Sequence, residues 1–428
     1  MILIKGGRVV DPESGTDESL DLILEDGRVK AWGKFPKNES YERVIDAGGK
    51  IVAPGLVDIH VHFRDPGLTY KEDIVTGSAA AAAGGFTTVV CMANTKPVVD
   101  SVETLSDLQK RARSLPIRVL SAAAVTRGLK GAELTDMRAL RAAGAAGFTD
   151  DGIPITDTAL LFEAMKRARE LDVPISLHEE DPALIASSGV NQGEVSRQLN
   201  FGGAPAVAEE SLIARDCLLA LRSGARVDIQ HVSSGVSVDV IRSMKKLGAH
   251  IFAEVTPQHF SLTEQAVLER GALAKVNPPL RGEADRYALI QGLKDGTIDF
   301  IVTDHAPHSR EEKAKGLEQA PSGMIGLETS LALGITNLVR KGHLTMLQLL
   351  EKMTINPARF YKLNCGTLRE GAPADLVIFD ERERWTVEED KFRSKSCNSP
   401  FIGMELYGKV CCTICGGEVV FEAQDQSV

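Results

Sequence analysis

Aromatic residues are scarce in this chain, with 14 Phe, 5 Tyr and 2 Trp making 5% of 428 positions, and no Lys/Arg cluster is interleaved with them. The formal charge is −10 and the isoelectric point near 5.5, a balance that repels polyphosphates and excludes nucleic acid as an expected partner. No apolar run approaches the ~20 residues that span a bilayer. The N-terminus, MILIKGGRVVDP, has neither a long apolar core nor a small-residue cleavage site of the secretory kind. The expectation is a cytoplasmic protein with no membrane partner. Cysteine is also sparse, with seven residues and therefore an odd number, so reduced thiols are expected. The one cluster, Cys411, Cys412 and Cys415, holds a Cys-x-x-Cys, but a structural metal site needs a second pair or nearby histidines; the plainer reading is a strand with incidental thiols. A Gly-x-Ser-x-Gly elbow, a cysteine in a motif with a histidine partner and a glycine-rich phosphate loop are all missing, which argues against a nucleophile-based hydrolase and a nucleotide-binding loop.

What is present is the profile of a globular α/β protein: 43% hydrophobic and 25% charged residues, a composition that also excludes disordered and collagen-like classes. The length exceeds what one core usually holds, so one large domain with a smaller companion is expected. Both termini read as β structure. MILIKGG, RVVDPESG, DLILEDGRVKAWG with its Asp-Gly turn, and KIVAPG lie at the start, and ADLVIFD and KVCCTICGGEVVF with its Gly-Gly turn lie at the end, all with strand-and-turn chemistry. Residues 1–52 and 366–428 are thus expected to pair into one small β-sandwich.

Between them, over residues 53–365, short apolar runs alternate with amphipathic stretches, the pattern of repeated βα units. Eight strands are expected near 55–59, 87–92, 117–122, 146–149, 173–177, 226–230, 250–255 and 299–303, which suggests a (β/α)8 barrel. Two connections are unusually long, GVNQGEVSRQLNFGGAP after strand five and HAPHSREEKAKGLEQAPSGMIG after strand eight. Both fall on one rim of that barrel, and long loops in a compact domain are often functional.

In GLVDIHVHFRDPG, His60 and His62 stand two apart at a strand end, so their side chains leave the same face. Alone, such a pair is more often structural than a metal clamp. Asp151, His178, His231 and Asp304 then fall at the ends of other expected strands, where a barrel gathers side chains at its active face. Only nine histidines exist in the chain, and four take such positions. Imidazoles with carboxylates suit zinc, and six ligands exceed what one tetrahedral ion uses, so two ions are implied. Such pairs sit ~3.5–4 Å apart, acidify a shared water and polarise a carbonyl under attack. Spacing alone does not separate Asp150 from Asp151 as the ligand in GFTDDG.

With these motifs the chain resembles the amidohydrolase superfamily and, within it, the bacterial type I dihydroorotases. The matching runs are DIHVHFRDPG, MANTKPVVD, GFTDDG, ISLHEED, GEVSRQLNFGGAP, IQHVSS, KVNPPLR, TDHAPH and SGMIGLET. The resemblance implies a metal barrel beside a composite β-domain. It makes His60, His62, His178 and His231 zinc ligands, with Asp304 ligating one metal and serving as general acid/base. Many relatives bridge their metals with a carboxylated lysine after strand four, but GFTDDG contains no lysine, so Asp151 takes the bridging place. The substrate carries a carboxylate, for which Arg64 offers a bidentate grip. Asn94 and His308 resemble further carboxylate partners, His62 also faces the substrate, and Asn277 and the backbone at Ser322 and Gly323 resemble ring contacts. Ala93 stands where family members usually carry proline.

The implied reaction is reversible ring closure of N-carbamoyl-L-aspartate to (S)-dihydroorotate in pyrimidine synthesis. A hydantoinase or allantoinase would share the barrel but differ in the bridge and the carboxylate grip. A non-catalytic partner subunit is the other alternative, disfavoured because all six ligand positions are filled. A homodimer is the expected assembly, and some relatives associate with aspartate transcarbamoylase.

Overall fold

The computed structural model describes residues 1–35 and 41–423; residues 36–40 and 424–428 of the expected terminal module lie outside the described residues. All eight strands expected in the middle of the chain form, as Leu56–Val61, Phe86–Cys91, Arg118–Ser121, Phe148–Thr149, Ile175–Leu177, Val227–Ile229, Ile251–Val255 and Phe300–Ile301. Neighbours pair in parallel. A bridge between Ala123 and Phe148 joins strands three and four, and one between Val61 and His305 closes the ring. The result is the (β/α)8 barrel, with its strands buried on both faces as a parallel sheet covered by helices requires.

Two devices fix the closure and the rim. Asp58, inside the first strand, accepts from the His60 amide with one oxygen and from the Thr303 amide with the other, at 3.0 Å each, tying strand one to strand eight. Its carboxyl, buried on all sides, is pushed up to about 7 by loss of solvent. Strands four and eight are only two residues long, and the same turn follows each. The Thr149 hydroxyl accepts from the Asp151 amide and the Thr303 hydroxyl from the His305 amide, 3.0 Å in both cases, a side-chain turn just beyond each strand.

The terminal segments build one eight-stranded sheet. Ile51–Pro54 pairs antiparallel with Leu376–Thr386, setting Val52 opposite Ile378, so the two ends of the chain become neighbours. The runs MILIKGG and RVVDPESG form a single strand, Ile2–Asp11, with a register shift between Ile4 and Gly7 at Gly6, whose φ is +70°. The Asp26-Gly27 and Gly416-Gly417 turns have positive φ at both residues, the left-handed pair that matches the twist of a hairpin. The sheet folds over a core of its own, with Ile4, Leu22, Val52, Leu376, Ile378 and Ile414 inside. The two hairpin tips meet through Ala374, whose amide donates to the Gly27 carbonyl and whose carbonyl accepts from Gly417. Cys411, Cys412 and Cys415 lie on the strand Glu405–Cys415 as free thiols, and among the described residues no cysteine joins a metal-capable group. Among the described residues no helix is long and apolar enough to cross a membrane.

The loop after strand one carries Arg64 with φ +57°. It docks on the next loop through the Lys96 amide, which donates to the Pro66 carbonyl at 3.0 Å. Gly67, at φ +92°, passes so close that an added Cβ would fall 1.7 Å from the Lys96 carbonyl oxygen. Gly67→Ala is therefore expected to cost about 2 kcal/mol or more, since strain and a backbone clash combine; urea unfolding at fixed pH measures it.

Candidate metal centre

Every side chain expected at the metal site arrives from a strand end at the same mouth of the barrel. Asp151 is central. Its Oδ1 lies 3.4 Å from His60 Nε2, 3.8 Å from His178 Nδ1 and 3.8 Å from His231 Nε2, and its Oδ2 lies 3.4 Å from His62 Nε2. Asp304 Oδ1 is 3.0 Å from His62 Nε2 and 3.6 Å from His60 Nε2. Burial alone would push the Asp151 carboxyl up; the imidazoles of His60, His62 and His178 instead hold it well below the usual carboxylate range. His231 and Asp304 sit at φ +36° and +47°, a region non-glycine residues seldom occupy and one that concentrates at functional sites.

The outer nitrogen of three imidazoles decides what the inner one presents. His60 Nδ1–H donates to Glu254 Oε2 at 2.8 Å, His62 Nδ1–H to Asn94 Oδ1 at 2.9 Å, and His178 Nε2–H to Glu180 Oε2 at 3.2 Å. Each bond puts the hydrogen outside and a lone pair inside, the arrangement that prepares histidine for a cation. His60 Nε2 is buried with no hydrogen-bond partner, which a metal would supply. The ligand atoms of His60, His62 and Asp151, and those of Asp151, His178 and His231, each lie within 4.8 Å of one another. Asp151 belongs to both groups. This all-N/O donor set fits a divalent transition metal.

Asp150 points elsewhere. Its carboxylate accepts from the Val125 amide at 2.7 Å, the Thr126 amide at 3.0 Å and the Thr126 hydroxyl, so it anchors the loop after strand three, and burial pushes its carboxyl up to about 6. The spacing ambiguity between the two acids is thus resolved by which neighbours each one reaches.

The other expected residues divide into two arcs. Asn94 braces the centre, donating through Nδ2 to Asp151 Oδ2 at 3.0 Å while accepting from His62. Arg64 donates to the Pro307 carbonyl at 3.2 Å and its Nη2 lies 3.4 Å from His308 Nε2, the nitrogen that also faces the Ser322 carbonyl at 2.9 Å. Gly323, at φ +128°, has no room for a side chain between Ala306 and His308. Asn277 holds a buried Oδ1 without a partner. Lys275, in the loop after strand seven, holds the long loop after strand eight, its Nζ donating to the carbonyls of Leu317 and Ala320 at 2.7 and 2.9 Å, and a cavity of about 420 Å³ has Phe201 of the loop after strand five, Lys275 and Glu318 in its wall.

Four contributors escape a reading of motifs alone. Glu254 and Glu180 orient imidazoles. Asn398, from the terminal half of the chain, accepts from the His308 amide at 3.1 Å and donates to the Ala306 and Gly323 carbonyls at 3.1 Å each. Lys71 approaches His308 Nδ1 at 3.3 Å. For Glu254 a signal existed: an acid inside the apolar run IFAEV must be paired if the strand is buried.

A (β/α)8 barrel with a shared carboxylate among imidazoles at its carboxy-terminal mouth defines an amidohydrolase, a hydrolase acting on cyclic amides. Residues 282–421 match the family described as "Amidohydrolase family" and residues 49–237 the one described as "Dihydro-orotase-like". A dihydroorotase of Clostridioides difficile (strain 630) is 59% identical over 99% of this chain and 100% of its own length, and one of Lactococcus lactis is 53% identical over the same shares. Among solved structures, the L-hydantoinase (dihydropyrimidinase) from Arthrobacter aurescens superposes with a TM-score of 0.89 at 29% identity, covering 100% of this chain and 97% of its own. The dihydropyrimidinase from Brevibacillus agri, with a TM-score of 0.85 and 22% identity over 98% and 95% of the two chains, shares the fold. The chain belongs to the dihydroorotase family.

Glu254→Gln keeps the shape but weakens the acceptor on His60. Loss of such an outer partner typically lowers metal affinity about 10–100-fold, and competition against a chelator of known affinity reads this directly, with the fold checked by circular dichroism.

Proposed function

We propose that this chain is a zinc-dependent dihydroorotase that interconverts N-carbamoyl-L-aspartate and (S)-dihydroorotate, with two zinc ions per subunit and Asp151 between them. The observation that carries the reading is Asp151 itself, standing within 3.8 Å of four inward-facing imidazole nitrogens at a position where hydantoinase-like relatives would need a modified lysine. Beside it, Arg64 and His308 offer donors suited to a carboxylate. Bound among these ligands, zinc supplies Lewis acidity at the carbonyl and acidifies water.

The chain's own residues do the rest. Asp304 lies buried at the edge of the cluster, where it takes the proton from attacking water and passes it to the leaving ring nitrogen, the work of a general base turned general acid. Arg64 grips the ring carboxylate, with the His308 Nε2–H beside it. Asn277, through its free Oδ1, accepts from a ring N–H, and the backbone at Ser322 and Gly323 lines the opposite edge. The buried mouth excludes bulk water and strengthens each of these contacts. The same reading carries a cytoplasmic homodimer, with association to aspartate transcarbamoylase as a further assembly.

Four assays test it. Purified chain offered dihydroorotate, hydantoin, dihydrouracil and allantoin side by side is expected to prefer dihydroorotate; preference for any other ring overturns the substrate assignment. Metal analysis is expected to find two zinc ions per chain, and their removal by chelation to abolish turnover. Asp304→Asn is expected to lower kcat by about 10²–10⁴-fold. Because synthesis needs Asp304 protonated and hydrolysis needs it ionised, the synthetic rate falls and the hydrolytic rate rises with pH; a synthetic rate that climbs steadily from acid to alkaline pH contradicts the role of Asp304.

A further inference from the structure

Lys71, in the loop after strand one, is buried and takes no part in the chemistry above. Its ammonium lies 2.9 Å from Glu312 Oε1, to which the Tyr70 hydroxyl also donates at 2.9 Å, and 3.3 Å from His308 Nδ1. Glu312 in turn caps the short helix that follows His308, accepting from the Ser309 amide at 3.0 Å. The lysine is therefore held on one side by an acid and presented on the other to an imidazole.

An ammonium has three donors and no acceptor, so His308 Nδ1 must be the acceptor and the ring hydrogen must sit on Nε2. On the other side of the ring Nε2 faces two groups, the Ser322 carbonyl at 2.9 Å, which can only accept, and the Arg64 Nη2 donor at 3.4 Å; the shorter contact places the hydrogen on Nε2. The opposite tautomer would set N–H against ammonium and lone pair against carbonyl. A second ring proton is disfavoured first by burial and then by the cations Arg64, Lys71 and Lys313, which together hold the His308 pKa down to about 2 although Glu312 lies 3.6 Å from Nδ1.

We infer that Lys71 is a positioning residue for the substrate carboxylate: by occupying His308 Nδ1 it fixes a neutral imidazole whose Nε2–H points into the site beside Arg64. A carboxylate arriving there replaces the Ser322 carbonyl as acceptor of that hydrogen. With the hydrogen on Nδ1 instead, an Nε2 lone pair would face the incoming anion. The inference rests on the dihydroorotase reading for the identity of the anion, though the tautomer itself does not. Since the carboxylate is held equally in the ground and transition states, losing this contact is expected in KM rather than kcat.

The test uses the full-length, metal-loaded chain and the Lys71→Met variant, which keeps length and removes the donors. Long-range proton–nitrogen NMR of 15N-histidine, with the His308 signal assigned by its loss in His308→Asn, is expected to show the Nε2–H tautomer in the parent and a mixed population in Lys71→Met. For dihydroorotate, KM is expected to rise about tenfold with kcat within about twofold, the size of one lost hydrogen bond. Lys71→Arg, also a pure donor, restores both readouts. In a His308→Asn background, Lys71→Met adds less than about twofold. A His308 tautomer unchanged in Lys71→Met overturns the inference, and so does a full-sized KM effect in the His308→Asn background, which would make Lys71 a direct contact. If the parent turns over a different ring, the function fails while the tautomer measurement still decides the role of Lys71.

Discussion

The site depends on one constraint: a single carboxylate, Asp151, shared among four imidazole nitrogens, three of them on rings whose outer hydrogen is already taken. Such an arrangement is unstable by itself, because buried imidazoles and a buried acid would otherwise pair by proton transfer or swing away. The outer oxygens of Glu254, Asn94 and Glu180 prevent this by taking the ring hydrogens. A barrel serves this purpose well, since the ligands come from five different strand ends, with His60 and His62 sharing the first, and the backbone beneath them cannot shift without disturbing its neighbours. The left-handed backbone at His231 and Asp304 is the strain that this convergence imposes, and the closed hydrogen-bonded ring sustains it.

Much of this was legible in the sequence. The period change between terminal β runs and βα units foretold the barrel and the companion sheet, because both patterns reflect burial that the chain cannot avoid. All eight strands formed within a few residues of their expected places, and His60, His62, Asp151, His178, His231 and Asp304 converge. What the sequence could not decide was orientation. Asp150 and Asp151 are adjacent acids of equal chemistry, and only the Thr126 and Val125 amides, brought near by the barrel, take the first of them away. Glu254, Lys71 and Asn398 act through partners far off in the chain, a relation that no local spacing records.

The mouth also shows how local charge departs from the whole. The chain carries a net −10, yet Arg64, Lys71 and Lys313 gather around His308, with Glu312 beside Lys71. Concentrating positive charge in a partly desolvated cleft attracts small anions where bulk charge would repel them, and it keeps His308 neutral so that it works as a hydrogen-bond donor with a fixed direction.

Asn398 and the pairing of Val52 with Ile378 have a consequence for how the protein comes into being. The strand that holds Val52 leaves the ribosome long before the one that completes its sheet, and the loop bearing His308 waits for an amide made some ninety residues later. During synthesis the barrel can close while its mouth is still unfinished, with the early strands left as an open sheet edge of the kind that invites wrong partners. Competence for chemistry therefore arrives late and all at once, when the distal strands dock. A nascent chain stalled before residue 398 would be folded in its centre and inert at its rim.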